Sequence, residues 1–169
     1  MGALGPKVLM TLPSTILAID PGLATGIAVV TQKNGNLSIW SARELDPIKT
    51  GAYAQAMLSD PFVLGASDLE IVIERFTITA ATAKNSQAPW SLEVIGMIKW
   101  LVHDELNWDP DTIIMQGPAE AKRLITNDIL KKHGLWHKGG QGHANDAIRH
   151  AVYRYARLGW RKPWEEESV

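Results

Sequence analysis

The sequence contains no cysteine. Disulfides, thiolate zinc sites and cysteine nucleophiles are excluded together, a cytoplasmic location is left unopposed, and any metal must be bound through oxygen or imidazole. No apolar run approaches the ~20 residues that a bilayer-spanning helix needs, so no membrane partner is expected. Residues 1–14 are somewhat apolar but lack the charged segment and long apolar stretch of a secretory signal, and they read as a loose leader. Net charge is scarce too: 17 basic against 18 acidic residues leave −1. A polyanionic partner would have to be recognised through local clusters rather than by the field of the whole chain. No internal repeat is visible, and no second domain is expected.

What is present suits one folded domain. The chain has 169 residues, of which 46% are hydrophobic, and seven tryptophans, a composition able to bury a real core. The domain is expected over residues 15–158. Residues 159–169, with a proline, a basic pair and an acidic run, read as a flexible tail.

Apolar runs at 16–20, 26–31 and 37–42, with Asn34-Gly35 between the last two, predict a three-stranded antiparallel meander. A short alanine-rich helix follows at 50–58. The β-branched run within 68–76 predicts a fourth strand. Residues 77–89 are small and polar without a sustained period, and long loops of this kind in compact domains are often functional. Ser91 is expected to cap a helix at 92–106, 111–115 to form a fifth strand, 118–134 a further helix, and 143–158 a last one. Strand and helix alternate in the second half, which implies an α/β fold: a five-stranded mixed sheet, its first three strands antiparallel and its last two parallel, with helices on both faces.

Two carboxylates stand at strand ends. Asp20 closes the first strand and Glu74 the fourth, and if those strands are neighbours the acids lie within a few ångströms. Such a pair repels itself unless a cation sits between, which invites a hard divalent metal; a strand end that merely meets solvent is the other reading. On the last helix His143 and Asp146 are three residues apart and His150 stands one turn further along the same side, at the edge of the apolar stripe. That row suits metal ligands, or an ordinary polar flank. Gly139, Gly140 and Gly142 ahead of it could cradle a phosphate at the helix N-terminus or act as a flexible connector. Residues 122–138 form a basic patch, with Lys122, Arg123, Lys131, Lys132, His133, His137 and Lys138 against few acids, and are candidate phosphate contacts. Trp136 and Phe76 could stack on splayed bases or serve in packing.

Together these residues resemble the RuvC-type Holliday junction resolvases of the ribonuclease H-like superfamily, over residues 16–158. AIDPGLATG looks like the family's first motif, VIERF its second, QGPAEAKR its proline-and-lysine segment, and GHANDAIRHAV its last. The resemblance implies a ribonuclease H-like fold and a metal-dependent endonuclease that hydrolyses phosphodiester bonds in four-way DNA junctions. It would leave 5′-phosphate and 3′-hydroxyl ends, in recombination, repair or phage DNA processing. By position, Asp20, Glu74, His143 and Asp146 would be the catalytic and metal-binding residues, holding two divalent ions, Mg²⁺ or Mn²⁺. His143 stands where many members carry aspartate, which makes Mn²⁺ a plausible preference. Lys122 matches the basic residue near the scissile phosphate and Phe76 the aromatic at the junction centre. Arg123, Lys131, Lys132 and Lys138, with Lys84 and Asn85 of the 77–89 loop, complete the expected DNA contacts. A homodimer is implied by the need for two opposed nicks, with Met97 and Trp100 of the 91–106 helix a candidate interface. The setting would be the cytoplasm of a bacterium or of a phage-infected host. The rival readings are a same-superfamily nuclease for flaps, forks or RNA-DNA hybrids, and a junction-binding module without turnover.

Overall fold

The computed structural model describes residues 12–65, 68–78 and 88–160. Its first strand, β1 (Thr15–Asp20), is buried along its whole length, as an apolar strand must be when both faces are covered. β2 (Thr25–Lys33) returns antiparallel, with Asp20 opposite Gly26. Asn34 and Gly35, at φ of 53° and 83°, then turn the chain into β3 (Asn36–Leu45). Asn-Gly reaches this left-handed geometry with little strain. β4 (Leu69–Glu74) runs parallel to β1, and β5 (Ile114–Gln116) parallel to β4, in the order β3-β2-β1-β4-β5. The sheet is the five-stranded mixed one that the sequence predicts.

Alternate residues of the strands feed two cores, as the period of two requires. Leu17, Ile19, Ile27, Val29, Ile71 and Ile73 face α1 (Pro47–Leu58), α2 (Pro61–Leu64) and α3 (Ala88–Leu106). Ile16, Ala18, Ala28, Val30 and Val72 face α4 (Pro118–Leu124), α5 (Asn127–Lys132) and α6 (His143–Arg157). Because β1 and β4 are parallel and adjacent, their C-terminal acids emerge at the same edge of the sheet, and α6 packs across both strands.

Several element boundaries differ from the sequence reading. The helix expected over 118–134 is two, because Thr126 starts a new one by accepting the Ile129 N–H on its hydroxyl at 3.3 Å. α1 begins at Pro47, where the Asp46 carboxylate accepts from Lys49 N at 2.9 Å, a cap that outranks the alanine-rich centre as a start signal. α3 begins at Ala88, so Ser91 is not its cap; the Ser91 hydroxyl is buried and donates to the Pro21 carbonyl at 2.9 Å. The fifth strand is three residues long, Pro110–Thr112 ahead of it forming a 3₁₀ turn. Of the two candidate interface residues, Met97 is half-buried and packs against the core where α3 meets α1, so that a Cβ on Gly51 would overlap its sulfur, while Trp100 is 58% exposed. Residues 1–11 and 161–169, most of the expected leader and tail, lie outside the described residues. Trp160 packs against the α6-side core and donates its indole N–H to the Gly35 carbonyl at 2.8 Å.

Candidate active site

The turn after Asp20 is braced locally. The Thr25 hydroxyl donates to the Gly22 carbonyl at 2.8 Å and accepts the Gly22 N–H at 3.2 Å. Ser91 holds the Pro21 carbonyl from α3, so the carboxylate stands on a strand end fixed from two sides. Asp20 is 8% exposed. Its Oδ2 lies 2.9 Å from Nδ1 of His143, the first residue of α6. The Asp20 hydrogen bond raises the His143 pKa; burial opposes it, and the charges of Asp20 and Glu44 add to the rise.

Glu74 ends β4, one register step past the Ile19–Ile73 pair that aligns it with Asp20. Its Oε2 is 2.7 Å from Nε2 of His150, which is fully buried and whose Nδ1 is 2.8 Å from Oε1 of Gln116. Asp146 lies one turn into α6, between two cations: its Oδ2 is 3.0 Å from the Lys122 ammonium and its Oδ1 takes an N–H of Arg149. Arg149 is buried, donates Nε–H to the Ile125 carbonyl at 2.7 Å, and reaches Asn127 with its other terminal nitrogen. Burial lowers its pKa, outweighing the opposite pull of Asp20 and Glu74.

Asp20 and His143 are therefore in direct contact, whereas Glu74 and Asp146 each bind other partners. Among the described residues no three His, Asp or Glu side chains converge as a metal cage. As chemistry the set still fits a hard divalent ion: three carboxylates and one imidazole on the ends of regular elements match what Mg²⁺ and Mn²⁺ accept. Cation binding there would replace contacts that His143, Lys122 and Arg149 now make with Asp20 and Asp146.

The glycine-rich approach to α6 does not hold a vacant anion site. The Glu44 carboxylate, from the end of β3, fills it by accepting from Gln141 N at 2.7 Å, Gly142 N at 2.7 Å and Ala144 N at 3.2 Å. Gly140, at φ +70°, has no Cβ because one would overlap that carboxylate. Burial would raise the Glu44 pKa, but the backbone donors, helped by the charge of His143, hold it below the usual range. Asn145 fixes the preceding loop by accepting His137 N at 2.9 Å and donating to His137 O at 3.0 Å.

Beside this edge lies a cleft of about 950 Å³, whose wall includes Lys122, Asn127, Lys131, Trp136, His143, Asp146 and Arg149. Lys131 places its ammonium 4.9 Å from the centre of the Trp136 ring. Arg123, Lys132 and Lys138 are exposed, and Phe76, two residues beyond β4, is half-buried. Lys84 and Asn85 lie outside the described residues. Glu44, Gln116 and Arg149 join the site beyond the sequence expectations. Gln116 lies in QGPAEAKR directly after an apolar run, and Arg149 stands three residues after Asp146 on the same helix; Glu44 carries no sequence signal.

No family model matches the sequence, and no curated protein matches it significantly. Solved structures do. RuvC from Thermus thermophilus bound to a Holliday junction substrate aligns with a TM-score of 0.61 at 15% identity, over 88% of this chain and 98% of that one. A second T. thermophilus RuvC structure gives 0.61 at 17% identity, over 88% and 99%. The fowlpox virus Holliday junction resolvase aligns at 0.51 and 12% identity, over 85% and 99%. With the sheet order and the flanking helices, these likenesses establish that the chain has the ribonuclease H-like fold of the RuvC-type resolvases.

Proposed function

We propose that the chain is a metal-dependent endonuclease that cuts branched DNA, chiefly four-way junctions, by phosphodiester hydrolysis to 5′-phosphate and 3′-hydroxyl ends. The observation that carries this reading is the 2.9 Å contact between Asp20 of the first strand and His143 of the last helix. It joins acid and imidazole donors 123 residues apart, on a fold shared with proteins whose structures include junction complexes.

Asp20, Glu74, His143 and Asp146 are the residues that would hold the ions, Mg²⁺ or Mn²⁺, two per site. When bound, such ions would supply Lewis acidity at the scissile phosphate and lower the pKa of water so that hydroxide is available as the nucleophile. The remaining work belongs to the chain itself. Lys122, on α4 and 49% exposed along its side chain, can offset negative charge on the phosphate. Arg123, Lys131, Lys132 and Lys138, with Lys84 and Asn85, would contact the DNA, and Phe76 the junction centre. Two opposed nicks call for two sites, hence a homodimer, acting in the cytoplasm of a bacterium or infected host in recombination, repair or phage DNA processing.

The test is incubation of purified protein with a labelled synthetic four-way junction, flap, fork and RNA-DNA hybrid, in Mg²⁺ or Mn²⁺, beside Asp20→Asn. Paired nicks in the junction, absent with Asp20→Asn, are expected. Equal cutting by both proteins removes Asp20 from the chemistry, and tight junction binding without cutting makes the chain a binding module.

A further inference from the structure

His150 is a fully buried polar side chain beside the acids, and nothing in the nuclease reading uses it. Glu74 and Gln116 are register partners on the adjacent parallel strands β4 and β5. The imidazole of His150 enters between their side chains from α6, Nε2 at 2.7 Å from Glu74 Oε2 and Nδ1 at 2.8 Å from Gln116 Oε1. The Gln116 backbone is fixed as well, its carbonyl accepting Arg75 N at 2.6 Å.

The chemistry of the three groups sets the direction of the chain. A carboxylate only accepts, so Nε2 carries the proton it shares with Glu74. Nδ1 then meets Gln116, whose amide can present either oxygen to an imidazolium or N–H₂ to a neutral ring. In both cases Nε2–H donates to Glu74. A glutamate on a strand end has three side-chain torsions to lose, and this donor holds it in one orientation at a sheet edge where a cation would need it. With Oε2 held, Oε1 is the oxygen that can take a cation without breaking the bridge.

We propose that His150 and Gln116 are positioning residues, which fix the Glu74 carboxylate for binding a divalent cation through a buried Gln116–His150–Glu74 hydrogen-bond chain. The role of Glu74 in this proposal rests on the nuclease reading, but the contacts do not. Partners of this kind, one step behind a ligand, typically change metal affinity about 10- to 100-fold.

The experiment uses the full chain and near-isosteric variants. His150→Gln keeps an N–H donor at the reach of Nε2, and His150→Asn keeps one only at the reach of Nδ1. In the metal-free wild type, proton NMR should show a slowly exchanging imidazole N–H resonance that shifts in Glu74→Gln and disappears in His150→Gln. In calorimetric titration with Mn²⁺, His150→Asn should bind about 10- to 100-fold more weakly than wild type, and His150→Gln should recover to within about threefold. The proposal is overturned by absence of the resonance, by equal Mn²⁺ affinity in the Asn and Gln variants, or by a wild type that binds no Mn²⁺. Should a variant fail to fold, the resonance in wild type and its response to Glu74→Gln still decide the hydrogen bond. A protein that shows the resonance and the Mn²⁺ pattern but leaves junctions uncut sinks the nuclease reading alone.

Discussion

Gly26 pairs with Asp20 across β1 and β2, and a methyl group built on it would overlap the carbonyl of His143 and stand 2.9 Å from Ala144 N. The absent side chain is what lets the first turn of α6 lie against the strand beside Asp20. Gly26→Ala must push that turn away, and overpacking of this kind costs about 1–3 kcal/mol. Chemical denaturation should show the loss, and the His143 imidazole signals should move in the proton NMR spectrum of the folded variant; an unchanged midpoint with unmoved imidazole signals would refute the close approach. Asp20, Glu74, His143 and Asp146 stand out as candidates in the sequence because each has a local mark, an apolar run broken by an acid or a helical spacing. Glu44 has none. Its partners are backbone amides 97, 98 and 100 residues further along, and a carboxylate that meets backbone leaves no pattern in side-chain identities.

At the scale of elements, α6 is the part on which the site depends, since His143, Arg149 and His150 all project from it toward the acids. The break between α4 and α5 belongs to the same design. Ile129 N bonds the Thr126 hydroxyl instead of closing a helical turn, and the Ile125 carbonyl accepts from Arg149 Nε at 2.7 Å. The sequence over 118–134 reads as one continuous helix because the arginine that satisfies the freed carbonyl comes from a different element. Glu44 secures the other end of α6. Its pKa is depressed in the folded chain, so its stabilisation is complete above the usual carboxylate range, ~4, and is lost as pH falls through the folded value. Glu44→Ala should cost about 1–2 kcal/mol at neutral pH, the size of a strong helix cap. Measured in chelator, the gap between wild type and variant should close as pH is lowered through that window. A gap independent of pH would mean that the carboxylate's charge contributes nothing to the cap.

Over the whole molecule, a formal charge of −1 conceals a local balance: the acids at the sheet edge are matched by cations and imidazoles folded in with them. Asp146 alone has Lys122 and Arg149. This makes the metal-free chain self-sufficient, unlike a small domain that needs its ion to fold, so chelation should leave it folded and cooperative. A divalent ion that binds only the folded state must then add stability by mass action, about 2.7 kcal/mol at a hundred times its Kd. For a chain of this length that is a rise of roughly 5–10 °C in Tm, at about 2–4 °C per kcal/mol. Thermal melts with increasing Mn²⁺ should climb accordingly, and Asp20→Asn should flatten the climb while changing the chelated Tm much less. A Tm that ignores Mn²⁺ in the wild type would mean that the internal partners hold these acids too firmly for the ion to displace them, and the hydrolytic reading would lose its metal.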